Sequence, residues 1–452
     1  MSFLEPLLAV ATETETAEPS IVLAGVLLSL VMIYFASKVG GELCSRINLP
    51  AVLGELVGGV IIGISAFKLL VFPEGGILPE DSLIINFLEL TANLAPGSAE
   101  VTFESMSEVI SVLSELGVII LLFEIGLESD LKELIKVGPA AAIVAVAGVV
   151  TPFSLGTAGL VYFFHVSLIP AVFAGAALTA TSIGITAKVL AELGKLSSKE
   201  GQIIIGAAVL DDILGIIVLA VVGSLVKTGE VQVGQIIYLI ISAGTFLIGS
   251  ILIGRIISPW LISIVKQMKT RGDILIVGLI FAFTLAYIAN IIQLEAILGA
   301  FAAGLVLAET EKRKELEEQI IPVADIFVPI FFVCVGAKTD LGVLNPAIPS
   351  NREGLIIASF LIVVAIVGKV VAGFTVWGEE KLNKLAIGVG MIPRGEVGLV
   401  FAGVGAASGA LAPSTEAAII MMVIMTTFIA PPLLKVVFKE SPLPAETKAE
   451  QS

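Results

Sequence analysis

Thirteen apolar runs, each about as long as a helix that crosses a lipid bilayer, recur along the chain and leave few architectures open. They begin near Ile21, Ala51, Glu108, Gly138, Leu168, Gly201, Gly234, Asp273, Glu295, Ile321, Gly354, Leu385 and Glu416, separated by Pro, Gly and charge. The spacing predicts an all-α polytopic membrane protein of about 13 transmembrane helices. Charge content agrees: 14% of residues are charged, where soluble domains carry about 25%. A mean hydropathy of +1.06 likewise calls for lipid as the solvent of the apolar surface.

The formal charge of −15 comes largely from the tails and from one segment. Glu74, Glu80, Asp81, Glu89, Glu100 and Glu104 crowd a stretch without Lys or Arg, read here as a solvated outer loop. No basic, aromatic-interleaved region suits nucleic acid. Cys44 and Cys334 lie far apart without metal-ligand spacing. Residues 1–20 form an acidic N-terminal tail without the basic start of a signal peptide, and residues 439–452 a C-terminal tail. No phosphate-binding glycine loop, zinc spacing or nucleophile–base set is visible, so neither an enzyme nor a cofactor is expected.

The basic residues test the span count independently, because Lys and Arg gather on the cytoplasmic side. With the N-terminus outside and the C-terminus inside, 19 of the 25 fall on inner segments and four on outer ones. The other two, Lys369 and Arg394, lie within spans. An internal repeat fits the same count. LLFEIGLESDL (121–131) and FFVCVGAKTDL (331–341) align Gly126 with Gly336 and Asp130 with Asp340. Seven spans separate them, an odd number, so the copies would be inverted, as in many secondary transporters.

Charge at membrane depth marks an ion path, a partner or a cavity. GQIIIGAAVLDDILGIIVLAVV (201–222) sets Asp211 and Asp212 side by side near mid-span. Neighbouring helical residues project about 100° apart, so the two carboxylates face differently and suit different roles. One can pair with a buried cation while the other meets a cavity and an ion. Lys369, with about two apolar turns on either side, cannot snorkel to water and needs an acidic partner. Asp211 is the first candidate, with Glu124 and Asp325 as alternatives. Glu55, Glu124, Glu295 and Asp325 themselves read as interfacial or packing residues. His165, the one histidine, falls in an outer loop.

Two spans look interrupted. LTATSIG (178–184) places Thr179, Thr181 and Ser182 in an apolar run, where hydroxyls can satisfy an unwound backbone. MIPRGEVGL (391–399) places Pro393, Arg394, Gly395 and Glu396 in another, and proline kinks or breaks a helix. Arg394 and Glu396 either neutralise the half-helix ends or pair with each other across a simple kink.

LLFEIGLESDLKEL, ALTATSIGITAKVLAELG, AAVLDDILGIIVLA, VPIFFVCVGAKTDL and MIPRGEVGLVFAGVG together resemble the Kef/Nap-type branch of the monovalent cation:proton antiporters, from about Ile21 to Phe438. The resemblance implies a transporter domain over 21–438, built as a homodimer. Its moving core would be about 138–226 and 354–438, its dimerisation part about 21–137 and 273–341, its linker helix about 234–258. The fifth and twelfth spans would cross as interrupted helices. The resemblance also implies sodium at Asp212 with Asp211 beside it, Asp211 paired with Lys369, Thr181 and Ser182 at the unwound stretch, and Glu396 as the acid of the second crossing helix.

It follows that the chain would exchange sodium or lithium for protons across a bacterial plasma membrane by alternating access, with one carboxylate holding proton or cation in turn. A lysine that releases its proton on cation entry would make the exchange electrogenic. Potassium/proton exchange is the nearest alternative. A cation channel and a non-transporting proton-relay subunit are the readings from other classes.

Overall fold

The computed structural model describes residues 18–73, 77–92, 98–228, 232–267, 273–345, 349–377 and 382–439. Those residues contain sixteen α-helices, two 3₁₀ turns and no strand. The first five helices are α1 (Pro19–Arg46), α2 (Ala51–Ile62), α3 (Leu83–Ala92), α4 (Ser98–Glu128) and α5 (Leu131–Phe163). Then come α6 (Leu168–Ala177), α7 (Ile183–Glu192), α8 (Lys199–Thr228), α9 (Val233–Gln267), α10 (Asp273–Ile291) and α11 (Ala296–Ala308). The last are α12 (Arg313–Ala337), α13 (Pro349–Gly373), α14 (Lys384–Gly390), α15 (Glu396–Ala407) and α16 (Pro413–Lys439).

Every expected span start falls in a helix or at its cap, but the thirteen expected spans differ in kind. Among the described residues nine helices are long and apolar enough to cross a membrane: α1, α4, α5, α8, α9, α10, α12, α13 and α16. The fifth and twelfth spans are each two half-helices, α6 with α7 and α14 with α15. The second and ninth are α2 and α11, of 12 and 13 residues. At 1.5 Å per residue these measure about 18–20 Å, less than the roughly 30 Å hydrocarbon core.

The acidic segment is more ordered than a loop. Residues 79–81 form a 3₁₀ turn, and α3 buries Ile84, Ile85 and Leu88 on one face. Glu100 and Glu104 belong to α4, which begins ten residues before the apolar run. Hydropathy marks only the stretch that lipid must solvate, whereas backbone hydrogen bonding continues the helix into polar surroundings. Residues 74–76, 93–97, the tail before residue 18 and the tail after residue 439 lie outside the described residues.

The chain divides into two compact units: Met1–Gly40 with Glu55–Leu116 and Pro329–Asp340, and Gly41–Gly54 with Gly117–Val328 and Leu341–Ser452. Both segments expected to form the core, 138–226 and 354–438, fall in the second, but so do the expected linker, 234–258, and most of 273–341 from the expected dimerisation part, so the two units do not follow the expected division.

Within the first unit α2 and α12 touch backbone to backbone. A Cβ on Gly59 would stand 2.2 Å from the Val333 carbonyl oxygen, and one on Gly336 2.1 Å from that of Leu56. Within the second unit α4 and α11 do the same, with 2.4 Å from Gly126 to the Phe301 oxygen and 2.3 Å from Gly304 to the Phe123 oxygen. The two crossings are counterparts in the repeat. Gly126 already aligns with Gly336, and AVLGELVGG (51–59) matches AILGAFAAG (296–304), placing Gly59 opposite Gly304. Small residues of this kind let helices approach in lipid, where the hydrophobic effect gives no drive to pack. A backbone oxygen cannot rotate away as a side chain can, so we expect Gly304→Val to destabilise the protein by about 3 kcal/mol or more. Thermal unfolding in detergent measures it, and an unchanged midpoint would contradict the crossing.

In the second unit α5, α6, α13, α15 and α16 share one apolar core. Phe173, Leu178, Leu361, Phe401, Met421 and Met422 are almost fully buried in it. That packing fixes the half-helices α6 and α15, which are too short to hold position alone.

Candidate functional site

The half-helices stop where a hydroxyl competes for a helix carbonyl or a proline withdraws a backbone donor. Leu178 caps α6, and the Thr179 hydroxyl turns back to donate to the Ala176 oxygen at 2.7 Å. The chain resumes at Ser182, the N-cap of α7. In the second break Pro393 has no N–H and disfavours helical geometry in the residue before it. Accordingly α14 ends at Gly390, and α15 starts after Gly395.

Each break supplies what the other lacks. The Ser182 N–H donates to the Pro393 oxygen at 2.8 Å. The Thr181 hydroxyl donates to the Met391 oxygen at 3.2 Å, and the Thr186 hydroxyl to the Gly390 oxygen at 2.8 Å. In the other direction Arg394, fully buried, donates through Nη1 to the Ala180 oxygen at 2.7 Å and to the Thr179 oxygen and Thr181 Oγ1 at 3.4 Å. A guanidinium thus sits on carbonyls of the unwound stretch just beyond the C-terminus of α6, the end at which the helix dipole is negative. The Thr427 hydroxyl of α16 donates to the Arg394 carbonyl. Replacing Arg394 with Leu would leave several buried acceptors unpaired, at about 1–3 kcal/mol each. We expect a fall of several degrees in thermal midpoint with Arg394→Leu and a smaller one with Arg394→Lys.

α8 brings the two aspartates to this crossing from the side. Asp211 and Lys369, both fully buried, form an ion pair of 2.9 Å between α8 and α13. The lysine's hydrogen bond therefore goes to Asp211 rather than to Glu124 or Asp325. Gly148 on α5 leaves room for the ammonium, since a Cβ there would come within 3.2 Å of Lys369 Nζ. Asp211 also interacts electrostatically with Arg394. Two aspartates and two cationic side chains gather here, so full ionisation leaves no net charge in a region where isolated charge is costly.

Asp212, 2% exposed, points elsewhere. It lines a small cavity with Ala180, Thr181, Ser182, Ile183, Ile297, Gly395 and Val397. The cavity holds about 10 Å³, roughly one water-sized body. Carboxylate and hydroxyl oxygens are hard donors, suited to a proton or an alkali cation and poorly suited to thiophilic metals. Among the described residues no group of three or more His, Cys, Asp and Glu converges as a metal cluster would.

The structure thus gathers Asp211, Asp212, Thr181, Ser182, Lys369 and Arg394 at one crossing. The backbone of Glu396 opens α15, but its side chain lies outside the described residues. Arg394 bridges to the opposite break, which sequence reasoning left open against a local pair with Glu396. Sequence reasoning missed Thr186, Thr427, Val397 and Ile297, and named Gly395 only as part of the break. The threonines carried a usable signal as hydroxyls within apolar runs, whereas Ile297 carried none. Away from the crossing, Glu55 accepts a 3.1 Å hydrogen bond from Ser37, a packing contact. His165 lies between α5 and α6, with a φ of 55°.

A family profile described as "Sodium/hydrogen exchanger, transmembrane" matches residues 22–440. The chain is 74% identical over 436 residues to the high-affinity Na⁺/H⁺ antiporter NhaS3 of Synechocystis sp., covering 96% of this chain and 95% of that protein. It is 33% identical over 414 residues to the Na⁺/H⁺-K⁺ antiporter GerN of Bacillus cereus, covering 90% and 95%. Its fold resembles that of the sodium proton antiporter MjNhaP1 from Methanocaldococcus jannaschii, with a TM-score of 0.61 at 15% identity over 93% of this chain and 99% of that one. A multi-pass helical membrane chain with paired interrupted helices, matched along nearly its whole length, is therefore a member of the transmembrane sodium/hydrogen exchanger family.

Proposed function

We propose that the protein exchanges sodium or lithium for protons, and that Asp212 is the group the two ions share. The observation that carries this reading is the placement of Asp212, a nearly buried carboxylate in a one-body cavity beside Thr181 and Ser182. Such a carboxylate holds a proton or a cation, never both, and exposure to each side in turn converts that competition into exchange. The 74% identity to an Na⁺/H⁺ antiporter supports sodium as the cation. Arg394 and the threonine hydroxyls keep the two unwound stretches in shape, so the site survives the movement of the bundle around it.

Asp211 and Lys369 have a different part. When a cation enters beside Asp212, the added positive charge weakens the ion pair, and the lysine releases its proton as a second exchanged charge. Exchange is then electrogenic. The core of about 138–226 and 354–438 rocks against a dimerisation part of about 21–137 and 273–341, with 234–258 as linker, in a homodimer. The protein lies in a bacterial plasma membrane with its N-terminus outside.

Reconstitution in liposomes with an imposed pH gradient tests the reading, with sodium, lithium and potassium added separately. Collapse of the gradient by sodium or lithium is the expected result. A response to potassium alone would keep the exchange and replace the cation, and silence to all three would end the transporter reading.

A further inference from the structure

We infer that Gly395 sets the size of cation the site accepts, because its missing side chain keeps open the space beside Asp212. Gly395 lines the same small cavity as Asp212, Thr181 and Ser182. A glycine is held at a position by backbone conformation or by space. Conformation does not require this one: its φ of −133° lies outside the left-handed region that favours glycine. Nor does helix crossing, since no backbone oxygen stands near, in contrast to Gly59 and Gly304.

Space remains. A Cβ on Gly395 would lie 2.9 Å from Ser182 Oγ and 3.0 Å from Ser182 Cβ, with the next atom, Ser182 Cα, at 3.8 Å. The added methyl therefore meets a cavity-lining side chain and little else. Ser182 can yield by a few tenths of an ångström, so the fold tolerates alanine. The cavity does not, because one methyl is large against its volume of about 10 Å³.

Lithium, sodium and potassium carry equal charge and differ in radius and preferred ligand number, so cavity size and flexibility decide among them. Shrinking the space at Gly395 penalises potassium most, sodium next and lithium least. This inference rests on the reading of Asp212 as the cation's ligand.

The test compares wild type and Gly395→Ala in proteoliposomes, with apparent KM measured for lithium, sodium and potassium. The KM ratio of sodium to lithium should rise about tenfold, a change of about 1.4 kcal/mol, while lithium exchange persists and reports a folded protein. Adding Ser182→Gly removes the side chain the methyl strikes and should return the ratio toward wild type. An unchanged ratio, or KM values that all shift alike, overturns the inference. If Gly395→Ala does not yield folded protein, Val397→Ala takes its place. It widens the same cavity and must move the ratio the other way, and no movement there also overturns the inference. The wild-type arm separates the two levels. Absence of cation-driven exchange by wild type defeats the antiporter reading and the inference with it, whereas normal exchange with unaltered ratios defeats the inference alone.

Discussion

Asp212→Asn abolishes the sodium-driven collapse of a pH gradient in proteoliposomes, while the variant purifies and unfolds much as wild type does. The expectation follows from the geometry of the cavity. Asparagine keeps the shape of the side chain, so Thr181, Ser182, Gly395 and Val397 keep their places around it. What disappears is the charge that holds a cation and the site that holds a proton, and exchange needs both at one atom pair. A loss of at least about 100-fold in rate is expected, the order seen when even one neutral preorganised hydrogen-bond donor is removed from an active site. Exchange at more than a tenth of the wild-type rate would show that the carboxylate is not the shared site. Because the neighbouring ion pair is untouched, a large fall in thermal midpoint would point to a structural role instead.

The second large effect concerns Asp211. Asp211→Asn leaves the Lys369 ammonium buried and without its carboxylate, and breaking a buried pair from one side costs about 3–5 kcal/mol. Lys369→Met in the same protein removes the orphaned charge and recovers much of that loss, since replacing both partners by apolar or neutral groups of similar volume is close to neutral. The double variant should therefore lie well above the sum of the two single losses in thermal unfolding. Additive losses would mean that the 2.9 Å contact contributes little. Lys369→Gln addresses transport rather than stability. If the lysine carries a proton, this variant exchanges without moving net charge, and a membrane-potential dye reports the difference. Electrogenic exchange that survives Lys369→Gln would remove the lysine from the carrier role and leave it as a structural partner of Asp211.

Class and gross arrangement were legible in the sequence because lipid solvation is decided locally. A run such as 201–222 is apolar whatever its neighbours do, and a bilayer admits it only as a helix. The interruptions at 178–184 and 391–399 were legible for the same reason, since hydroxyls, proline and charge inside an apolar run show the local failure of helical bonding. So was the different facing of Asp211, toward Lys369, and Asp212, toward the cavity, which 100° of helical rotation imposes on any adjacent pair. The paired glycines were half legible: Gly126 and Gly336 showed as a repeat, but nothing local tells which helix each one touches.

Tertiary structure decided what depends on distance between remote residues. Asp211 and Lys369 lie 158 positions apart, and several acids could have taken the lysine until α8 and α13 were placed in contact. The direction of Arg394, toward the carbonyls of a break more than 200 residues earlier, was equally beyond local reading. The short helices α2 and α11 have the apolar composition of full spans, and only their close glycine crossings show how they are held. The cavity at Asp212 is the clearest case, because Ile297, Gly395 and Val397 bound it without carrying any charge or hydrogen bond that a sequence would announce. A run of residues fixes its own solvent, whereas a void is fixed by atoms that come from everywhere else.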